Sequence, residues 1–160
     1  LEGSADGLAA PLSCLNEARY GIAWGMVGAS EACLQEVRDF VLERESFGRS
    51  LASYQLVQDK LAEMLTLTTH SHALVDRLSE LKASGDITSD HVSLAKYSNV
   101  DNARKVASIG RELLGGVGIL LDHCPMRHLL NLESVATYEG TRDIHRLVLG
   151  RSLTGIQAFR

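Results

Sequence analysis

The chain has little of what would mark it for a membrane, a polyanion or an oxidising compartment. None of its apolar runs approaches the roughly 20 residues that span a bilayer; the best stretch, Tyr20 to Ser30, is far too short. Positive charge is not in excess. Sixteen Lys and Arg stand against twenty Asp and Glu, a net charge of −4, which offers no field for a polyanion and argues against nucleic acid as a partner. The cysteines, Cys14, Cys33 and Cys124, are three in number, far apart and never in a C-x-x-C pair. Packed thiols in a reducing interior are the plain reading. Only two prolines and 5% aromatics punctuate the sequence, and no alternating strand pattern is present.

Metal and nucleophile chemistry are equally thin. A carboxylate-bridged metal site in a helical bundle needs Glu-x-x-His pairs, which put both ligands on one helix face; the sequence has none. His70 and His72, two apart, would point to different faces of a helix. His123, Cys124 and His128 lack a second cluster to complete them, so no metal is expected. No G-x-S-x-G elbow occurs.

What is abundant is helix. Apolar 45% and charged 22% suit a soluble domain, and 160 residues can bury a core. Residues 1–11, small, Gly-containing and ending in Pro11, read as a linker; the domain runs over 12–160. With no methionine at position 1, the chain is expected to be a piece of something longer. Apolar residues at the 3.6-residue period, Leu15, Ile22, Met26, Cys33, Val37 and Val41, give a helix from about Leu12 to Glu45. Gly21, Gly25 and Gly28 inside it imply close approach of a backbone or ligand, or tight helix packing. A second helix runs from Ser53 or Tyr54 to the stop at Gly85. A third is capped by Ser89 and continues to Leu114. A glycine-rich loop and a short helical turn at Pro125 follow, and Thr141 caps a last helix to about Ala158. Long helices with one apolar stripe must pack on each other, so the fold class is all-α, an up-and-down four-helix bundle.

One stretch does not fit a plain bundle. "SVATYEGTRDIHRL" (134–147) interrupts helix at Tyr138-Glu139-Gly140-Thr141 and resumes at once. A carboxylate there is either a helix-dipole partner worth up to about 1 kcal/mol or a base.

Four segments, taken in order, carry a resemblance: "LNEARYGIAWG" (15–25), "ERESFGRSLASYQLVQDKLAEM" (43–64), "ELLGGVGI" (112–119) and "NLESVATYEGTRDIHRLVLGRSLTGIQAF" (131–159). Together they resemble the C-terminal helical domain of the acyl-CoA dehydrogenases, with most likeness to the glutaryl-CoA branch. The resemblance implies FAD as cofactor, an acyl-CoA substrate (glutaryl-CoA in that branch), electron-transferring flavoprotein as electron acceptor and a homotetramer or dimer. It implies a bacterial cytoplasmic or mitochondrial matrix location, and a missing N-terminal domain and β-barrel.

Residue by residue, the resemblance makes Glu139 the catalytic base. It makes Arg44, Phe47, Gln55, Thr141, Asp143 and Phe159 cofactor contacts. The segment Glu112, Leu113, Leu114, Gly115 and Gly116 would reach a neighbouring subunit's FAD. Substrate contacts would come from Leu12, Ser13, Cys14, Leu15, Asn16, Glu17, Ala18 and Arg19, with Tyr138 and Gly140. The chain departs from the family at Val117, where Asn is usual, and at Glu112, where Gln or Asp is common. A dehydrogenase for a monocarboxylic acyl group, an acyl-CoA oxidase, or a non-enzymatic oligomerisation bundle are the alternatives.

Overall fold

One helix, α3 (Ser89–Leu113), organises the rest. The computed structural model describes residues 9–158. Around α3 pack α1 (Ala9–Glu43), α2 (Gln55–Ser84), α4 (Cys124–Thr137) and α5 (Arg142–Thr154). The sequence of α3 explains why it can hold four neighbours. Its buried residues include Ala95, Asn99, Ala103, Ala107 and Gly110, small or slender groups that let other helices come close. At Gly110 an added Cβ would lie 3.1 Å from Val37 and 3.2 Å from Pro125. That glycine is where α1, α3 and the start of α4 meet.

The core has two parts. One gathers Cys33, Val37 and Val41 of α1, Met64 of α2, Val100, Ala103 and Val106 of α3, and Leu132 and Val135 of α4. The other joins Ala23, Val27, Val75, Leu78 and Ala95, flanked by Tyr20, Trp24, Leu74 and Ile87. Asn99, fully buried, donates through Nδ2 to the carbonyls of Ala23 (3.1 Å) and Ser71 (3.2 Å), so one amide ties α1, α2 and α3 together.

The all-α class stands, with differences in detail. There are five helices among the described residues, because the turn expected at Pro125 is the full 14-residue α4, with Pro125 near its start where proline needs no donor. Helix α1 begins at Ala9, so residues 9–11 of the expected linker are helical; Pro11 falls in the first turn, where it is tolerated. Thr88, not Ser89, caps α3: its hydroxyl accepts from the His91 N–H while His91 Nδ1 accepts from the Thr88 N–H. Helix α5 stops at Thr154, ended by Gly155 in the left-handed conformation, short of Ala158. The break after α1 is a two-residue hairpin, β1 (Glu45–Ser46) paired with β2 (Arg49–Ser50). Gly21, Gly25 and Gly28 meet nothing within 4 Å of an added Cβ; they lie on an exposed face of α1, so neither close packing nor backbone approach occurs there within this chain. No helix among the described residues is long and apolar enough to cross a membrane.

Met64, with no exposed surface, is the residue through which α2 enters the larger core. Met64→Ala is expected to destabilise the chain by about 2–5 kcal/mol, read as a lower midpoint in urea unfolding with an unchanged slope.

Candidate active site

Helix α4 ends in an unusual way. Its cap, Tyr138, is extended (φ −80°, ψ 167°), and the next residue, Glu139, is left-handed at φ 55°. Glycine normally takes that place after a helix because an L side chain there costs about 1–2 kcal/mol. Here the carboxylate residue takes it, and Gly140 follows at φ 96°. Thr141 then caps α5, its hydroxyl accepting from the Ile144 N–H at 3.4 Å. Among the described residues only Phe47 (φ 51°) shares this strained conformation without being glycine. Both are residues that the sequence singled out as functional.

Cations from two other helices hold the turn by its backbone. Lys96 of α3, completely buried, donates from Nζ to the carbonyls of Val135 (2.8 Å), Tyr138 (2.9 Å) and Gly140 (2.8 Å). Arg19 of α1 donates from Nε to the Glu139 carbonyl at 2.7 Å. The Glu139 side chain is treated differently: its Oε2 is buried and has no hydrogen-bond partner among the described residues. His145 of α5 packs against the turn, and neither ring nitrogen has a partner among the described residues. Burial, then the charges of Lys96 and Arg19, push its imidazole down to about 4, so it is neutral near pH 7. Burial and Arg19 push the Lys96 ammonium down to about 8, while Glu139 pulls the other way.

The expected substrate segment is a continuous helix, so its residues diverge. Leu12, Asn16 and Arg19 line a cleft of about 760 Å³ with Asp90 and Ser93 of α3 and Arg151 of α5. Ser13 and Glu17 turn towards α2, where Glu17 pairs with Lys82 at 2.5 Å. Cys14 and Ala18 are exposed elsewhere and Leu15 is half-buried, so the eight residues do not form one surface. Tyr138 is 48% exposed, with Lys96 Nζ 6.0 Å from its ring, and is not part of the core.

The expected cofactor residues fall into two places. Arg44, Leu113, Leu114, Gly115 and Gly116 line an open cleft of about 380 Å³ with Phe40, Ser46 and Val117. Arg44 makes no ion pair among the described residues. Phe47 stands 97% exposed at the tip of the hairpin, and Gln55 is the exposed first residue of α2. Leu114 is 2% exposed, so its side chain belongs to the core and only its backbone faces the cleft. Glu112 is ion-paired with Lys60 at 2.7 Å, which holds its carboxyl below the usual range and offsets its charge at the cleft's edge. Thr141 and Asp143 sit at the start of α5, beside Glu139. Phe159 lies outside the described residues.

Sequence reasoning missed Lys96, His145 and Cys33. A lysine on the apolar stripe of α3, between Val92 and Val100, was the available signal for the first. Cys33 of α1 comes to 3.9 Å from Cys124 of α4, with His128 beside them; the three potential ligand atoms lie within 4.8 Å of one another. Burial pushes the Cys33 thiol up to about 11 and the Cys124 thiol higher still, so both are protonated near neutral pH. Glu36 accepts from the Cys124 N–H at 3.0 Å and pairs with His123 at 2.6 Å. Cys14 is exposed, not packed.

Known proteins resemble the chain over nearly its whole length. Residues 5–154 match the model of the acyl-CoA dehydrogenase C-terminal domain. An acyl-CoA dehydrogenase of Bacillus subtilis is 33% identical over 150 residues, covering 94% of this chain and 40% of that protein. The mitochondrial 2-methylacyl-CoA dehydrogenase of Solanum tuberosum is also 33% identical, over 89% of this chain and 34% of its own length. The solved structure of a glutaryl-CoA dehydrogenase from Mycobacterium smegmatis in complex with FADH2 superposes with a TM-score of 0.95 at 46% identity, over 98% of this chain and 40% of that one. The chain therefore spans about 40% or less of the length of these relatives.

Gly140 is required on two grounds: its φ of 96°, and the 2.9 Å that would separate an added Cβ from His145 Nε2. Gly140→Ala is expected to destabilise the chain by about 1–3 kcal/mol, measured by thermal unfolding, whereas Gly21→Ala on open α1 surface should stabilise it slightly.

Proposed function

Because the chain belongs to the acyl-CoA dehydrogenase family through its C-terminal domain, we propose that it supplies the catalytic base, and part of the cofactor and substrate sites, of an FAD-dependent glutaryl-CoA dehydrogenase. The observation that carries this reading is Glu139: a carboxylate in a strained turn, with a buried oxygen that no group among the described residues satisfies. Strain of this kind persists only where the surroundings over-determine it, and it concentrates at working sites.

The residues present suit FAD. Arg44, which makes no ion pair among the described residues, lines an open cleft with Gly115 and Gly116; its fork suits a pyrophosphate, while the glycine segment is read as reaching a neighbouring subunit's FAD. The exposed ring of Phe47 follows shortly after Arg44 in sequence, at the tip of the hairpin. When bound, FAD supplies the acceptor for the hydride that leaves the substrate's β-carbon.

The chain's own residues do the proton work. Glu139 removes the α-proton, acidified by the thioester carbonyl. A carboxylate oxygen shielded from water and lacking a hydrogen bond is a stronger base than a solvated one. Arg19, which donates to the Glu139 carbonyl, also lines the 760 Å³ cleft, and this shared residue supports reading that cleft as substrate space near the base. In the glutaryl reaction, loss of carbon dioxide from the γ-carboxylate leaves a dienolate, and the carboxylic acid form of Glu139 returns a proton to give crotonyl-CoA.

The 46% identity to the mycobacterial glutaryl-CoA dehydrogenase supports that substrate over the monocarboxylic alternative. The retained strain at Glu139 and Phe47 speaks against a non-enzymatic bundle. Electron-transferring flavoprotein is the proposed electron acceptor, and a bacterial cytoplasm or mitochondrial matrix the proposed location. Self-association is proposed from exposed apolar groups, notably Ile119, Leu120 and Leu121 at 62%, 47% and 57% exposure.

Two measurements test this reading. In the full-length parent protein, glutaryl-CoA should bleach the flavin absorbance, and Glu139→Gln should slow bleaching by about 100-fold or more. Bleaching by monocarboxylic acyl-CoAs alone would keep the family and discard the glutaryl substrate; a parent without flavin would favour the oligomerisation bundle. The 160-residue chain should elute as a dimer or larger species in light-scattering chromatography, and a strict monomer at high concentration would refute the association.

A further inference from the structure

We propose that Lys96 is a positioning residue for the base: its ammonium, bonded to the carbonyls on either side of Glu139, holds that residue in the left-handed turn that leaves its carboxylate oxygen unpaired. The inference rests on the reading of Glu139 as base and assigns a role to a residue of another helix.

Three consecutive carbonyls carry the argument. Those of Tyr138 and Gly140 accept from Lys96, and that of Glu139 between them accepts from Arg19. A further bond from Lys96 to Val135 fixes the last turn of α4 to the same point. A peptide held at both flanks and at its own oxygen has no freedom to relax towards an ordinary φ. The strain at 55° is therefore imposed by the two cations rather than chosen by the local sequence. All three hydrogens of the ammonium are spent on carbonyls, so none is left to bond the Glu139 carboxylate. The lysine fixes the base without satisfying it.

A buried lysine is an expensive way to close a helix that glycine and water close routinely. Its charge is compensated by the carbonyl end of α4 and by Glu139. The charged or titratable groups facing it are Arg19 from α1, Glu139 and the Tyr138 ring from the turn, and His145 from α5. The count of hydrogens gives a functional consequence. A neutral amine has two hydrogens for three carbonyls, so deprotonation frees one flank of the turn. With the ammonium pushed down to about 8, that loss falls within reach of ordinary assays.

The test uses the full-length parent protein and rapid-mixing measurement of flavin reduction across pH. In the wild type the limiting rate should fall above about pH 8 while the substrate concentration for half-saturation changes less than about threefold. Lys96→Met should retain flavin, lose about 100-fold in rate, as expected for a displaced reacting group, and lose the alkaline fall. Lys96→Arg, which keeps its charge, should recover part of the rate and also lack the fall. A Lys96→Met protein with wild-type rate and pH profile overturns the proposal, as does a rate loss matched by flavin loss. If Lys96→Met does not fold, a wild-type rate flat from about pH 7 to about pH 9.5 overturns it independently. Glu139→Gln run in parallel separates the two claims. An inactive Glu139→Gln beside a fully active Lys96→Met sinks only the role of Lys96, whereas activity in both removes the base itself.

Discussion

The bond set of one ammonium group, Lys96 Nζ on three carbonyls of the turn after α4, is the constraint on which the site depends. A charge taken out of water must be met by other charges or by aligned dipoles. Here the dipoles are those of a helix end, and meeting them dictates where the chain goes next. The residues from Val135 to Gly140 are gathered around one point, so α4 cannot run on and α5 must start immediately. The short interval between the two helices is the geometric result of a single buried side chain.

That arrangement works because α3 is a good central element. Its small buried residues bring α1, α2, α4 and α5 close enough for side chains of α1 and α3 to reach the same turn. Arg19 and Glu139 lie far apart in sequence and meet at 2.7 Å. The same helix ties α1 to α2 through Asn99. Stability of the bundle and geometry of the turn are thus properties of one packing arrangement. A change in the core that shifts α3 moves Glu139 as well.

Much of this was legible in the sequence, and the limits have physical causes. The 3.6-residue period and the caps at Thr141 and Gly85 identify helices because they report local backbone needs. Boundaries slipped where competing caps stand side by side, as with Thr88 and Ser89, where a helix begins before its proline, as at Pro11, or where the turn a proline opens runs on as a full helix, as at Pro125. Glu139 was legible through its motif, but the reason it is strained was not. That reason is Lys96, 43 positions earlier, and a polar residue on an apolar stripe says only that it has a partner, not which. Leu12 to Arg19 shows the opposite failure. A motif contiguous in sequence is spread around a helix, and Ser13, Cys14 and Ala18 face away from the cleft that Asn16 and Arg19 share.

The electrostatics of the turn follow from these placements. Two cations lie close to Glu139, yet Lys96 spends its donors on backbone carbonyls and Arg19 gives Nε to the Glu139 carbonyl and Nη1 to the Asn16 side chain; the neighbouring imidazole is neutral because burial, and then those same cations, push its pKa down to about 4. The carboxylate therefore sits in a favourable long-range field without a direct hydrogen bond. Such a bond would stabilise the anion and blunt it as a base. Had Lys96 or Arg19 bonded the carboxylate directly, the same residues in nearly the same places would have made a salt bridge. Pointing donors at the backbone instead leaves the carboxylate unbridged, which is the condition that the proposed role of Glu139 requires.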